Sequence, residues 1–221
     1  MRTDPQSVCV LVSGGLDSAV LLYRLLDGRA KVTPLYLRCG LRWEPAEIFW
    51  LRRFLHAIRA PNLAPLQMIE LPMHSLYHAH WSVSGQPVPG AGSPDTAVYM
   101  PGRNILLLSA AAIRCAEQQL TLIAVGLLKG NPFGDASNQF LHHASRCLSA
   151  ALGHPIHIEA PLKHMDKSRL VRSAGRIPLG LTFSCLDPRG RRHCGRCNKC
   201  AERRRAFRDA RVPDPAPYAA R

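Results

Sequence analysis

Residues 8–18, VCVLVSGGLDS, constrain the fold of this 221-residue chain more than any other stretch. The apolar run 8–12 predicts a short strand buried in a parallel sheet, and the mostly apolar segment that starts at Leu16 predicts a packed helix. Gly14 and Gly15 allow a tight turn between the two because they lack a Cβ atom. A strand, a glycine loop and a helix in this order aim free backbone N–H groups at one point. This arrangement suits a phosphate or pyrophosphate group.

The rest of the chain alternates between predicted strands and predicted helices. Further strands are predicted at 32–37, 66–71, 121–125 and 155–159, helices at 45–59, 104–118 and 138–152, and long loops at 72–98 and 127–136. Strands separated by helices of this length predict an α/β fold, a doubly wound parallel sheet with helices on both faces. Ligands of such sheets bind at the carboxyl ends of the strands. The loops that follow the strands are therefore expected to face one crevice.

Four cysteines near the C-terminus form the second strong motif. Their spacing is C-x8-C-x2-C-x2-C, at Cys185, Cys194, Cys197 and Cys200. Four thiolates make a closed tetrahedral site, which predicts zinc in a structural and not a catalytic role. An iron–sulfur cluster is the competing ligand, because Cys-x2-Cys-x2-Cys also occurs in ferredoxins. Disulfides are disfavoured by the cytoplasmic location predicted next.

Charge and hydropathy restrict the partners and the location. The formal net charge of +14 and the pI near 10.1 favour polyanionic partners such as nucleotides, tRNA or DNA, so nucleic acid is a possible partner that the charge does not require. The first apolar run is too short for a signal peptide, and no run is long enough to span a bilayer. We therefore expect a cytoplasmic protein with no membrane partner.

The loop sequence SGGLDS does not match two common nucleotide-binding motifs. A Walker A loop needs GxxxxGK followed by Ser or Thr, and the dinucleotide fingerprint needs GxGxxG; this segment has neither. It resembles the PP-loop of ATP pyrophosphatases, which cut ATP into AMP and pyrophosphate. The resemblance implies ATP binding by Ser13, Gly14, Gly15, Leu16, Asp17 and Ser18, with Asp17 where Mg²⁺ meets the phosphates. The alternative is a structural strand–helix turn without a ligand.

The same two motifs and three further segments resemble the 7-cyano-7-deazaguanine synthase family over nearly the whole chain. YMPGRN at 99–104 is similar to the family's YxPxRN, APLKHMDKSRLV at 160–171 to its APLxxxxKxxIV, and TFSC at 182–185 to its TWSC. The cysteine spacing agrees at every position. The resemblance implies an adenine nucleotide alpha hydrolase-like fold of the PP-loop type with a C-terminal zinc-binding knuckle.

Members of this family convert 7-carboxy-7-deazaguanine, ammonia and two ATP into the nitrile used for queuosine and related deazaguanines. The resemblance therefore implies a carbon–nitrogen ligase that releases AMP and pyrophosphate or phosphate, with ATP, Mg²⁺ and Zn²⁺ as cofactors. A homodimer is one possible assembly, and the sequence leaves the oligomeric state open. The site residues that it implies are Asp17, Arg103 and Lys167 for catalysis, and Asn104, Asp135 and Phe140 for the deazapurine carboxylate.

Two departures from the family bear on the substrate. Where the family has roughly DYSGYPDCRPEF, this chain has KGNPFGDASNQF, with Ser137 in place of the arginine. The family's DYGQRH is replaced by RCGLRW, which keeps Gly40 and Arg42. Because the first segment contacts the deazaguanine in the family, the exact substrate stays open.

Two other functions remain as alternatives. A PP-loop tRNA thiolation enzyme is favoured by the positive charge and by Cys39, a possible nucleophile after the second strand. A buried, inert Cys39 is the competing interpretation. The other alternative is a non-catalytic zinc module that binds nucleic acid.

The predicted organisation has three parts. Residues 1–184 form the PP-loop ATP pyrophosphatase domain, 185–211 the zinc knuckle and terminal helix, and 212–221 a disordered tail with three prolines. Cys9, Cys115 and Cys147 are predicted to lie in the core. The arginine-rich segment 202–208, ERRRAFR, is predicted to be a solvated helix end.

Overall fold

Five strands form one parallel sheet in the computed structural model, which describes residues 6–85 and 87–219. The strands are β1 (Ser7–Leu11), β2 (Lys31–Arg38), β3 (Gln67–Glu70), β4 (Leu122–Ala124) and β5 (His157–Glu159). Their order across the sheet is β3-β2-β1-β4-β5, and all four pairings are parallel. Connections leave β1 in opposite directions, which opens a crevice at the carboxyl ends of β1 and β4. The predicted doubly wound sheet is confirmed.

Helices connect the strands and extend the chain beyond β5. The α-helices of the described residues are α1 (Leu16–Asp27), α2 (Glu44–Ala57), α3 (His74–Tyr77), α4 (Trp81–Ser84), α5 (Arg103–Glu117), α6 (Asn138–Leu152), α7 (Lys167–Arg172) and α8 (Asn198–Ala210). Short 3₁₀ helices span Asp95–Val98, Gly134–Ala136 and Leu179–Leu181. None of the helices in these residues is both long and apolar enough to cross a membrane.

Side chains of β1 alternate between two hydrophobic cores. Val8 and Val10 belong to the core that also contains Leu22 of α1 and residues of α7 and α8. Cys9 belongs to the opposite core, with Leu108 of α5 and residues of α6. A strand buried on both faces has to be apolar throughout, which explains why the run 8–12 shows no polar alternation.

The predicted loop 72–98 is partly helical. It contains α3, α4 and the 3₁₀ helix Asp95–Val98. Trp81 of α4 stacks on Trp43 with ring centroids 5.6 Å apart, and the imidazole of His80 lies 3.1 Å from the carbonyl oxygen of Tyr99. Helices of four residues are too short to show a hydrophobic period, which is why the sequence does not reveal them.

The predicted disorder of 212–221 is wrong for residues 212–219, while 220 and 221 lie outside the described residues. Asp214 accepts a hydrogen bond from Arg203 Nε at 3.0 Å and another from the hydroxyl of Tyr218 at 2.6 Å. The backbone N–H of His193 donates to the carbonyl of Pro217 at 3.0 Å. The tail is therefore packed against the cysteine-rich segment.

Two further expectations about side chains are wrong. Arg203 in the segment 202–208 is 1% exposed and donates to Thr182 Oγ1 at 2.7 Å and to the Leu179 carbonyl at 3.0 Å, so this segment is not simply a solvated helix end. Cys147 is exposed because the buried face of α6 is formed by other residues, whereas Cys9 and Cys115 are buried as predicted.

Candidate active site

The glycine loop leads from β1 into α1 at the centre of the crevice. Gly14 has φ +71°, a conformation that favours glycine, and a Cβ atom there would lie 3.3 Å from the carbonyl oxygen of Glu47. Ser18 Oγ accepts from the N–H of Ser13 at 3.2 Å and donates to the carbonyl of Gly15 at 3.3 Å. The two serines thus hold the loop in shape. The N–H groups of the first turn of α1 have no helical acceptor and can receive an anion.

A second glycine keeps this loop close to β4. A Cβ atom on Gly126 would lie 2.9 Å from the backbone nitrogen of Ser18 and 3.0 Å from the carbonyl carbon of Asp17. Only a residue without a side chain fits there, because backbone atoms cannot move aside as the end of a flexible side chain can. Gly126 is not among the predicted site residues; its signal in the sequence is an isolated glycine directly after the predicted strand 121–125.

Asp17 and Lys167, both predicted to be catalytic, meet beside the loop. Asp17 Oδ2 lies 3.3 Å from Lys167 Nζ, and Asp17 Oδ1 is buried with no hydrogen-bond partner among the described residues. Burial raises the pKa of Asp17, although the neighbouring Lys167 acts against this. Burial disfavours the charged form of Lys167, but Asp17 and Glu202 together raise its pKa. The free oxygen of Asp17 is available to a cation.

Two residues of α8 extend this pair into a chain of four charges. Glu202 Oε1 lies 2.5 Å from Lys167 Nζ, and Glu202 Oε2 lies 2.7 Å from Lys199 Nζ. Burial alone would raise the pKa of Glu202, but Lys167 and Lys199 lower it to about 2. Neither Lys199 nor Glu202 was predicted as a site residue. Both belong to charged stretches that are typical of a solvated helix.

A cavity of about 330 Å³ lies over the loop and brings most of the predicted residues together. The predicted residues on its wall are Ser13, Gly15, Leu16, Asp17, Ser18, Arg103, Asn104, Lys167 and Cys185. Gly14, Asp135 and Phe140 do not contribute to the wall. Arg103 Nε is buried and finds no acceptor in the part of the chain that the structure describes. Unpartnered polar atoms in a cavity wall fit a polar ligand.

Asp135 is engaged by α5 and does not face the cavity. Its Oδ2 accepts from the backbone N–H of Asn104 at 3.0 Å, and its carbonyl oxygen accepts from the Asn104 side-chain amide at 2.9 Å. Asp135 therefore holds the start of α5, where Arg103 and Asn104 lie. The backbone N–H of Phe140 donates to Ser137 Oγ at 3.0 Å, so Ser137 caps α6.

Two carboxylates that were not predicted as site residues also line the cavity, Glu44 and Glu47. Glu47 Oε2 accepts from the Tyr36 hydroxyl at 2.8 Å, and Glu44 Oε1 accepts from the backbone N–H of Cys39 at 2.5 Å. Desolvation raises the pKa of Glu47 to about 7, against the hydrogen bond from Tyr36 and the charge of Arg103. The signal for both residues was the pair of acids in the first turn of α2.

Cys39 is part of the core. Its side chain is fully buried, with Sγ 3.5 Å from the carbonyl oxygen of Leu37. Burial raises the pKa of the thiol to about 11, with Arg103 acting in the opposite direction. A thiol in this state is a poor nucleophile.

The four predicted cysteines come together in a cluster whose geometry fits a metal ion. The sulfur atoms of Cys185, Cys194, Cys197 and Cys200 all lie within 4.8 Å of one another, including 3.9 Å between Cys194 and Cys200. Zinc–sulfur bonds of about 2.3 Å in a tetrahedron separate the sulfurs by slightly less than 4 Å. Backbone N–H groups point at the sulfurs, from Cys194 to Cys185 Sγ at 3.2 Å and from Leu186 to Cys197 Sγ at 3.4 Å. The site suits a tetrahedral ion such as zinc.

Comparison with known proteins identifies the family of this chain. A family model described as "Queuosine biosynthesis protein QueC" matches residues 7–211. The chain belongs to this family. Relatives named 7-cyano-7-deazaguanine synthase include one from Azoarcus sp. (strain BH72), 33% identical over 99% of this chain and 100% of the relative. Another, from Magnetococcus marinus, is 31% identical over 96% of each chain. The predicted family is confirmed.

A solved structure supports the fold. A 4-thiouridine synthetase–RNA complex with bound ATP matches 93% of this chain and 50% of its own, with a TM-score of 0.53 and 16% identity. At this identity the match shows the shared fold alone. This chain therefore has the predicted PP-loop fold, with a four-cysteine cluster near its C-terminus.

Proposed function

We propose that this chain makes 7-cyano-7-deazaguanine from 7-carboxy-7-deazaguanine and ammonia, with ATP consumed through adenylated intermediates. The observation that carries the proposal is the meeting of Asp17 and Lys167 over the glycine loop, in a cavity that Arg103 also lines. Relatives that match almost the whole chain carry the name of this activity.

The residues on the cavity wall fit ATP and Mg²⁺. The first turn of α1 offers N–H groups to phosphate, and Lys167 offers a positive charge. Asp17 would hold Mg²⁺ through Oδ1, which lacks a partner among the residues described. When bound, Mg²⁺ neutralises phosphate charge. Zn²⁺ would be held by the four cysteines and would stabilise the fold.

In the first half-reaction, the carboxylate oxygen of the substrate attacks the α-phosphorus of ATP. The bond from this phosphorus to the pyrophosphate oxygen breaks, which gives an acyl adenylate. Lys167 and the N–H groups of the loop stabilise the charge that develops on pyrophosphate. Ammonia then attacks the acyl carbon, AMP leaves, and one proton is released as the amide forms.

In the second half-reaction, the amide oxygen attacks the α-phosphorus of a second ATP and displaces pyrophosphate. Loss of AMP and of both protons on the nitrogen gives the nitrile. Each half-reaction needs a proton acceptor. Glu47 lies on the cavity wall, and a pKa of about 7 suits a general base at neutral pH.

A thiolation enzyme that relies on Cys39 receives no support from the site. The thiol is buried, and burial raises its pKa to about 11, whereas a sulfur carrier needs an accessible thiolate. The positive charge of the chain is compatible with a nucleotide substrate and does not require RNA.

Product analysis tests the proposal. The zinc-loaded chain is incubated with MgATP, an ammonium salt and 7-carboxy-7-deazaguanine, and mass spectrometry should show the nitrile together with two AMP per nitrile. Reactions without the carboxylate and reactions of Lys167→Met are the controls. Absence of the nitrile, with no increase of AMP release by the carboxylate, would refute the substrate assignment.

A further inference from the structure

The part of α8 that belongs to the cysteine cluster also forms part of the cavity wall. Lys199 lies between the metal-site residues Cys197 and Cys200 and lines the cavity together with Asp17 and Lys167. Its side chain is 30% exposed and forms part of the cavity wall. The four-cysteine cluster thus fixes the backbone on both sides of a cavity lysine.

One carboxylate holds two ammonium groups at the same place. Glu202 Oε1 lies 2.5 Å from Lys167 Nζ, and Glu202 Oε2 lies 2.7 Å from Lys199 Nζ. Two oxygens of one phosphate group could bridge two amines in a similar way. The geometry that the carboxylate imposes on Lys167 and Lys199 is therefore one that suits phosphate oxygens.

The charges of the four residues do not oppose an anion at this point. Asp17, Lys167, Glu202 and Lys199 sum to zero, so the residues that approach the glycine loop do not repel a polyanion. A divalent cation at Asp17 would leave an excess of positive charge. Of the two lysines in this group, Lys167 has a role in the proposed reaction and Lys199 has none.

We propose that Lys199 is a second phosphate-binding lysine of the nucleotide site, and that the four-cysteine cluster supports ATP binding by fixing the backbone on both sides of Lys199. Glu202 is a positioning residue that holds the ammonium groups of Lys199 and Lys167 toward the cavity. The inference rests on the proposed function in one respect, that ATP enters this cavity. It does not depend on the identity of the carboxylate substrate.

Binding measurements on the zinc-loaded full chain test this role. Equilibrium binding of MgATP and of inorganic pyrophosphate is measured by calorimetry for wild type, Lys199→Met, Lys199→Arg and a control, Lys31→Met. Lys31 is exposed at the amino end of β2, whereas the cavity lies at the carboxyl ends of the strands. Loss of one charge-assisted hydrogen bond should weaken binding of both ligands by about 10- to 100-fold in Lys199→Met. Lys199→Arg should recover most of this loss, and Lys31→Met should bind as wild type.

Wild-type affinity of Lys199→Met for both ligands, with a full complement of zinc, would overturn the proposal. If Lys199→Met does not fold, acetylation of lysines in the wild-type protein replaces it. Pyrophosphate should then protect Lys199 but not Lys31 from acetylation, and equal labelling of Lys199 with and without pyrophosphate would also overturn the proposal. If wild type binds MgATP but makes no nitrile, the proposed substrate fails while the role of Lys199 is still decided.

Discussion

Gly126→Ala should disturb the proposed nucleotide site, because the new methyl group would press on the backbone of the glycine loop. The new Cβ would lie 2.9 Å from the nitrogen of Ser18 and 3.0 Å from the carbonyl carbon of Asp17, and both of these are backbone atoms. An ordinary van der Waals contact begins at 3.4 Å, so α1 and β4 have to separate by about half an ångström. Overpacking of this kind costs about 1–3 kcal/mol of folding free energy.

The same shift should weaken catalysis, because the start of α1 carries Asp17 and the N–H groups that we propose bind phosphate. Misplacement by 1 Å can cost about 100-fold in rate, so half of that distance should lower kcat/KM for ATP by about tenfold. Urea denaturation and steady-state AMP release measure the two effects.

Gly92→Ala is the matched control for this substitution. Nothing lies within 4 Å of a Cβ atom built on Gly92, and its backbone conformation is an ordinary one. Gly92→Ala should therefore leave the free energy of unfolding and kcat/KM unchanged. If Gly126→Ala also behaves as wild type in both assays, the reasoning that ties β4 to the glycine loop is refuted.

Four other substitutions test separate parts of the site. Asp17→Asn should keep the fold and abolish AMP release, because the free carboxylate oxygen is lost; a wild-type rate would contradict its role with Mg²⁺. Cys197→Ser should lose the metal and unfold the C-terminal segment, and a metal-free variant as heat-stable as wild type would contradict the zinc assignment. Asp135→Ala should raise KM for both ATP and the ring compound, because Asp135 holds the start of α5; a change in the ring compound alone would instead support direct recognition. Glu47 has a higher pKa in the folded chain than in the unfolded chain, so its contribution to the free energy of unfolding falls as the pH rises from 4.5 to about 7. In Glu47→Gln, a plot of the free energy of unfolding against pH should therefore be flatter over this range.

Local pattern was sufficient to predict the strands and the glycine loop. The run 8–12 is apolar because β1 is buried on both faces, and Gly14 marks the position with positive φ. The cysteine spacing predicted the four-cysteine cluster because two-residue gaps within one turn bring sulfurs together whatever the rest of the fold.

Contacts between distant segments could not be predicted in this way. Arg203 looks solvated in the sequence, but its guanidinium is buried against acceptors at Leu179, Thr182 and Asp214, which only the folded chain brings together. The position of Glu202 was equally unpredictable, because its partner Lys167 lies on a different helix, α7. A charged side chain is expected to be exposed only when no group of opposite charge packs against it in the folded chain. The sequence does not show which side of α8 packs against α7.

The boundary predicted at 184/185 divides a unit that the hydrogen bonds join. The backbone N–H of Phe183 donates to the carbonyl of Gly14 at 2.7 Å, so the segment that leads into Cys185 supports the glycine loop. From the other side of the metal site, Glu202 reaches Lys167 and, through it, Asp17. Two independent contacts therefore link the cysteine cluster to the nucleotide site. Metal removal should consequently weaken MgATP binding before the sheet unfolds, and a chelated protein that keeps its sheet and its full affinity for MgATP would show that the two sites are independent.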